Sequence, residues 1–559
     1  MSRRVVNRRI RLLLFVLVLA FAGTLARAVW LQGVQAASLS RMAASQHRET
    51  VVIPAGRGTI FDRTGLQLAI GEQDTTVYAN PHQIGDPRAV ALAAGHALGI
   101  APAKLYPDLA DRSRGFVYLA RKTDPAKATA LAKQGLSGLG FYPEERRTYP
   151  QGTVAAQVLG FAGVDNRGLA GLELQLEQEL SGVPGKETIV KDPFGRAIDV
   201  ISQTPERNGR DVFLTIDHTI QANAELVLRQ TVHQWGAKSA TAIVLDPHTG
   251  AVLAMAVQPG YDANAFSRTP ARAQGNHAVL DVYEPGSTFK LVTVAGVLSD
   301  GLVTPRTAFT LPYSIRVADR VVHDAERRGT ERMTVAHILS HSSNIGAITL
   351  AERLGKERLA AWISRFGFGR RTGIDFPGES PGIVLPVGQW SGSTIGNVPI
   401  GQGIGVTAIQ MASVYASMAN HGVWVEPHLV DHVSGGARAS VKRRRIVTPH
   451  VSAQLVTMLR DVVSEGTGTL AAVPGYTVAG KTGTAQKPDG KGGYSSSRYV
   501  ASFVGMVPAT RPRLVILVMV DEPRGAIWGG VVAAPAFSQI ARFDLQYLEV
   551  PPDAPATAK

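Results

Sequence analysis

The sequence predicts an α+β protein held to a membrane by a single N-terminal helix. An α/β region comes first, and a larger part follows, built on a five-stranded, mainly antiparallel sheet flanked by helices. Three observations predict this. An uncharged apolar run follows a cluster of arginines at the N-terminus. A hairpin pattern near residue 245 and three strand patterns after residue 475 bracket a long, mostly helical stretch. The chain has 559 residues, 45% hydrophobic and 18% charged, enough for several domains with a large buried core.

The elements run in order from the N-terminus. Arg3, Arg4, Arg8, Arg9 and Arg11 precede the uncharged run Leu12 to Ala26, then come Arg27 and "AVWLQ". A bilayer span needs about 20 apolar residues. With Arg27 snorkelling and Trp30 as interfacial anchor, the span covers residues 12–31. The positive-inside rule keeps residues 1–11 in the cytoplasm and puts the rest outside. A cleaved signal peptide is the competing reading, with "VQAAS" at Val34–Ser38 as its processing site.

Residues 32–225 carry short helix and strand signals between glycines and prolines. "RGTIFDRTG" at Arg57–Gly65 reads as strand–turn–strand, and "GLAGLELQLEQEL" at Gly168–Leu180 as a helix with Leu172, Leu176 and Leu180 four apart. Thr215 or Asp217 is placed to cap a helix running past Leu228. In residues 226–549, "TAIVLDPHTGAVLAMAV" is a hairpin turning at Asp246–Gly250, and "AQLVTMLRDVVSE" is an amphipathic helix. "YTVAGKTGTA", "YVASFVGMV" and "RLVILVMV" supply the last strands. Residues 550–559, rich in Pro and Ala, are expected to be disordered.

Composition excludes several chemistries. There is no cysteine, hence no disulfide, thiolate nucleophile or Cys-ligated metal. No metal-ligand cluster stands out and no cofactor is called for. The net charge is +14, from 58 basic and 44 acidic residues. Its densest patch, "KRRR" at Lys442–Arg445, reads as a solvated loop. It has no interleaved aromatics of the kind that stack on bases, so no nucleic-acid partner is expected.

"GYTVAGKTGTAQ", starting at Gly475, fits two patterns. Gly475, Gly480, Lys481 and Thr482 satisfy the phosphate-binding G-x-x-x-x-G-K-[ST]. Lys481, Thr482 and Gly483 also read K-T-G, one of three boxes in enzymes that acylate a serine. A P-loop needs a buried strand before it and a helix after it. Pro474 and the glycines around Pro488 deny both, and export past the membrane removes the nucleotide. The other two boxes are present. Ser287 and Lys290 in "YEPGSTFK" sit three apart, on one face of a helix. A serine hydroxyl needs a nearby base to become a nucleophile, and a lysine of lowered pKa supplies one. Ser342 and Asn344 in "SHSSNIG" form an S-x-N box, suited to relaying a proton and holding a carbonyl. On an edge strand, Lys481 offers charge, Thr482 and Thr484 offer hydroxyls, and Gly483 lets a substrate backbone approach. Taken singly, these boxes are a surface Ser/Lys pair, a helix cap and an edge strand. Their order, with gaps of 55 and 139 residues, makes chance a poor account.

On these motifs, with "GQGIGVTAIQMA" (Gly401–Ala412) and "WGGVVAAPAF" (Trp528–Phe537), the chain resembles a class B penicillin-binding protein over nearly its whole length. The wording is nearest the septal, division-specific type, with the elongation type as the close alternative. The resemblance implies a non-catalytic pedestal over 32–225, a transpeptidase domain over 226–549, and acyl transfer between peptidoglycan stem peptides that β-lactams block. It implies Ser287 as nucleophile, Lys290 as general base and Ser342 as proton relay. Asn344, Lys481, Thr482, Gly483 and Thr484 would bind substrate, and the backbone N–H groups of Ser287 and Thr484 would form the oxyanion hole. The middle box reads Ser-Ser-Asn rather than Ser-Asp-Asn and no deacylating glutamate is evident, which favours a transpeptidase over a β-lactamase. Nothing before residue 225 resembles a glycosyltransferase. The nascent glycan strands are then expected from a partner, a SEDS-type polymerase (FtsW type) among other divisome membrane proteins. A non-catalytic penicillin-binding sensor or scaffold is the alternative outside enzymes. Arg57, Asp62, Arg63, Arg146, Arg147 and Glu173 are read as structural ion pairs holding the pedestal to the catalytic domain.

Overall fold

The structure, a computed structural model, describes residues 3–38, 48–191, 197–438, 440–490 and 493–554. They fall into two compact units, residues 1–56 with 182–209, and residues 57–181 with 210–559. In the first, Arg3–Val29 is one α-helix that continues as a π-helical turn over Trp30–Val34. Asn7 to Val34 is long and apolar enough to cross a membrane. Leu12 through Leu19 are each more than half exposed, an apolar surface with no protein cover, as lipid contact requires. The same unit holds an antiparallel sheet with Gly185–Lys191 between Arg48–Ile53 and Ala197–Thr204.

The second unit contains two larger sheets. In the pedestal sheet, Ile60–Phe61 and Gln67–Ala79 are the expected strand–turn–strand, with Asp62 taking the turn's N–H groups from Thr64 and Leu66 at 2.8 Å each. Gln67–Ala79 also pairs with Val117–Thr123 and Leu139–Thr148. Val212–Leu214 joins parallel to Ile60–Phe61, and Val430–Val433, from the C-terminal half, joins Val212–Leu214 antiparallel. The two halves therefore share a sheet.

The catalytic sheet has five strands: β1 (Ser239–Leu245), β2 (Val252–Gln258), β3 (Ala479–Pro488), β4 (Tyr494–Val507) and β5 (Leu514–Asp521). Their order is β2-β1-β5-β4-β3 and every pair is antiparallel, as expected. Both faces are covered. Along β5, Val515, Leu517 and Met519 join one core, and Ile516, Val518 and Val520 the other. Burial on both sides is why "RLVILVMV" reads as an unbroken apolar run rather than an alternating one.

Six helices frame the sheet and its edge: α1 (His218–Trp235), α2 (Lys290–Ser299), α3 (Asn344–Leu354), α4 (Ala408–Ala419), α5 (Pro449–Ser464) and α6 (Ala534–Tyr547). Asp217 caps α1 by accepting from Thr219 N and Ile220 N. α1 and α6 cover one face of the sheet, while α2 and α4 contribute to the core on the other. α4 is buried at every position, including its polar Gln410, Ser413 and Ser417.

Four expectations change. A boundary after residue 225 falls inside α1, whose Ile220, Ala224 and Leu228 pack with the catalytic sheet. Gly168–Leu180 is two short helices, Gly171–Gln175 and Glu177–Leu180. The Glu173 carbonyl, within the first of them, accepts from Arg57 Nη2 at 2.9 Å. Residues 550–554 are not a loose tail: Thr477 N donates to Asp553 Oδ1 at 2.7 Å, and Tyr476 Oη to the Val550 carbonyl at 2.6 Å. Residues 555–559 lie outside the described residues. The pedestal ion pairs also divide. Glu173, fully buried, joins Arg57 (2.7 Å) and Arg147 (2.6 Å), and Arg146 meets Asp74 at 3.0 Å, all inside the pedestal. Asp62, at 2.5 Å from His218 Nδ1, and Arg63, at 3.7 Å from Asp217, reach the start of α1.

Candidate active site

The Ser287 segment begins where Gly286, at φ +55°, turns the chain into a 3-10 turn over Gly286–Phe289, and α2 starts at Lys290. Residues three apart eclipse in a 3-10 turn, so Ser287 and Lys290 share a face although Ser287 precedes the α-helix. The turn is braced from below. Thr288 Oγ1 donates to the Pro285 carbonyl at 2.8 Å, and Tyr415 Oη, from α4, donates to the Thr288 carbonyl at 2.9 Å. Gly286 N donates to the Gly401 carbonyl at 3.1 Å. A Cβ on Gly401 would lie 2.1 Å from Gly286 O, so that position admits only glycine. Ser287 is half-buried, and its Oγ has no hydrogen-bond partner among the described residues.

Lys290 is 1% exposed. Its Nζ donates to the Ser342 carbonyl (2.5 Å), Ser342 Oγ (3.1 Å) and Asn344 Oδ1 (2.7 Å). The structure thus joins the first two boxes through this one ammonium group. Ser342 is held at φ +59°, a conformation a serine adopts at a cost. Ser343, the middle residue of the box, caps α3 by accepting from Gly346 N at 3.0 Å. Its own hydroxyl donates to Asp324. Asp324 also accepts from Asn344 N (2.5 Å) and Ile345 N (3.1 Å), and pairs with Arg328 at 2.5 Å. Asp324 sits in no motif, and no sequence signal marks it. Asn344 Nδ2 donates to the His323 carbonyl at 3.0 Å.

Burial pushes Lys290 down to about 7, against the pull of Asp324, which favours the charged form. Lys481 is fully buried. Burial first, then the charge of Lys290, hold it well below the ordinary lysine value. Both amines are therefore buried, and the charge of Lys290 discourages Lys481 from charging.

The third box lies on β3, at the sheet edge. Lys481 Nζ donates to Thr482 Oγ1 at 3.2 Å, and Thr482 Oγ1 shares a 2.7 Å hydrogen bond with Thr467, another residue outside the motifs. Thr484 Oγ1 accepts from Gly529 N at 3.1 Å. A Cβ on Gly483 would meet Ser502 Oγ at 2.4 Å and the Pro285 carbonyl at 2.9 Å, so glycine is needed for the strand to lie against the Ser287 turn. A Cβ on Gly286 would lie 2.8 Å from Thr484 O. A strand residue's N–H projects from the same edge as its C=O, so the Thr484 N–H faces that turn. Lys481 is inside a strand and precedes no helix, which removes the phosphate-loop pattern. All eight residues picked from the sequence lie in this one region. Asp324, Thr467, Tyr415 and Gly401 were missed as parts of it, although Gly401 lies in a stretch that carried the resemblance.

An antiparallel sheet with K-T-G on its edge strand, set against a helix entered through S-x-x-K, defines the class of enzymes acylated on serine by β-lactams. Family models match residues 240–542 as the penicillin-binding protein transpeptidase domain and residues 52–214 as the penicillin-binding protein dimerisation domain. The chain belongs to the penicillin-binding protein family. It is similar to penicillin-binding protein PbpB of Mycolicibacterium smegmatis, at 35% identity over 93% of this chain and 87% of that protein. It is also similar to peptidoglycan D,D-transpeptidase FtsI of Escherichia coli, at 33% identity over 99% of this chain and 94% of that protein. Among solved structures, penicillin-binding protein 3 from Mycobacterium tuberculosis complexed with aztreonam aligns with a TM-score of 0.71 and 32% identity. That alignment covers 91% of this chain and 100% of the other. A peptidoglycan synthetase from Bifidobacterium adolescentis aligns with a TM-score of 0.74 and 29% identity, over 91% and 98%.

Proposed function

We propose that this chain is a septal peptidoglycan D,D-transpeptidase that works through an acyl-enzyme on Ser287, and that β-lactams inhibit it by acylating the same hydroxyl. The observation that carries the reading is Lys290, buried, with its pKa lowered to about 7, bonded to Ser342 and Asn344 and one turn from an unengaged serine hydroxyl.

In the acylation step, neutral Lys290 takes the Ser287 proton as Oγ attacks the penultimate D-alanine carbonyl. The N–H groups of Ser287 and Thr484 hold the oxyanion. The C–N bond to terminal D-alanine then breaks, and its nitrogen receives the proton from Lys290 through Ser342 Oγ. In the second step an amine of a neighbouring stem attacks the ester carbonyl. Its proton passes to Lys290, a new amide forms, and Ser287 leaves and is reprotonated. Thr482 and Thr484 bind the terminal carboxylate. That carboxylate supplies the negative charge that favours a protonated Lys481, with the Thr467 bond fixing the Thr482 rotor. Asn344 exchanges its bond to Lys290 for the acyl-side amide, and Gly483 keeps the edge clear for the substrate backbone.

The N-terminal helix anchors the chain, with its arginines in the cytoplasm and both larger domains outside. Glycan strands come from a separate membrane polymerase of the SEDS type within the division machinery. The test is complementation in depleted cells. Wild type restores septa and Ser287→Ala leaves filaments. Loss of rod shape with normal septa on depletion would reassign the chain to elongation.

A further inference from the structure

The basic cluster at Lys442–Arg445 takes no part in the acyl-transfer site; Lys442, Arg443 and Arg445 are exposed, as expected, but the segment is not a loop. Arg443–Arg445 is a short strand paired with Val423–Val425. With the turn after helix Lys356–Phe366 and with α4, this pair lines a half-open pocket of about 640 Å³, a usual size for a small-ligand site. Arg370, Arg371, Arg443 and Arg444 line it together with Lys442. Its one carboxylate, Glu426, is already taken by Lys442, whose backbone N donates at 3.0 Å and Nζ at 3.1 Å. Nearby Glu379 is spent on Thr372 N (2.6 Å) and Gly373 N (3.1 Å).

Among the described residues, none of the four arginines has a carboxylate partner. Arg444 instead donates to the Arg365 carbonyl and lies 4.8 Å over the Trp424 ring. Its crowding is costly: burial, then the charges of Arg370 and Arg365, lower its pKa from the ordinary guanidinium value. A second observation is independent of charge. Ser413, on α4, lines the same cavity, is 3% exposed, and has an Oγ without a hydrogen-bond partner among the described residues. A buried hydroxyl left unpaired is unfavourable, and a ligand acceptor would satisfy it. Gln410, one turn earlier, is fully used, donating to the Arg370 carbonyl (2.8 Å) and the Pro381 carbonyl (2.9 Å), which fixes the cavity wall.

We infer that this cavity binds a multiply charged phosphate ligand, a diphosphate group or its ester, on the forks of Arg370, Arg443 and Arg444, with Ser413 as a further donor. Guanidinium forks match phosphate oxygens two at a time. Four guanidinia whose nearby carboxylates are spent call for more than one negative charge, which a single carboxylate cannot supply. None of the cavity's lining residues belongs to the Ser287 site.

The test titrates inorganic pyrophosphate, and separately farnesyl diphosphate, into the full chain in detergent, by calorimetry, against sodium chloride of matched ionic strength. Arg370→Ala with Arg443→Ala removes two exposed side chains, and penicillin acylation reports that the double variant is folded. Saturable binding is expected, weakened at least about tenfold in the double variant by the lost charge-assisted bonds. Ser413→Ala weakens it less. Tighter binding of farnesyl diphosphate would mark an esterified ligand, and equal binding a free diphosphate. Absence of saturable binding of either probe at millimolar concentration, or equal affinity in the double variant, would overturn the inference.

Discussion

With Lys290 as the proposed base for Ser287, the pH dependence of acylation follows from its burial. A lysine in water titrates near 10.4, so at pH 7 only about 0.04% of it is neutral. With its pKa at about 7, about half of Lys290 is neutral at that pH, a gain of about a thousandfold in competent base. The sign is fixed by the mechanism. Protonated Lys290 cannot accept the Ser287 proton, so the rate falls about tenfold per pH unit below 7 and levels off above about 8. The assay is the second-order rate of labelling by a fluorescent penicillin between pH 5 and 10. Asp324→Asn sharpens it. The variant keeps an oxygen for Asn344 N and Ile345 N but removes the charge that opposes burial. The limb should therefore move to lower pH. A limb above pH 9 in the wild type, or an upward move in Asp324→Asn, would refute the reasoning.

Other consequences are equally direct. Gly401→Ala should abolish acylation without touching a functional group, since its Cβ would sit 2.1 Å from Gly286 O at φ +80°; labelling of the folded variant checks it. Thr467→Val removes the partner of Thr482 and should slow acylation about five- to tenfold, the ~1 kcal/mol of one hydrogen bond. Glu173→Ala leaves Arg57 and Arg147 buried without their carboxylate and should cost about 3–5 kcal/mol of pedestal stability. Faster limited proteolysis within residues 57–181 would show it.

Periodicity made the catalytic sheet legible because its strands are long and their cores continuous. The hairpin at Asp246–Gly250 and the three terminal strands all fell where the pattern put them. The site residues were legible because each box is local. What joins the boxes is not local. Asp324 works from a loop 20 residues before Asn344, and Tyr415 reaches Thr288 across 127 residues. No spacing rule ties such pairs together. The share of Val430–Val433 in the pedestal sheet was hidden for the same reason. "KRRR" misled in a different way. Most of the run is solvated, as such runs usually are, yet Arg444 is half-buried and packs on Trp424 beside an open pocket.

Acyl transfer through Ser287 is tested most simply by intact-protein and peptide mass spectrometry after exposure to penicillin. The mechanism predicts one adduct of the full drug mass, on the peptide holding Ser287, absent in a folded Ser287→Ala variant. A folded wild type that gains no adduct, or an adduct that persists in Ser287→Ala, would contradict it.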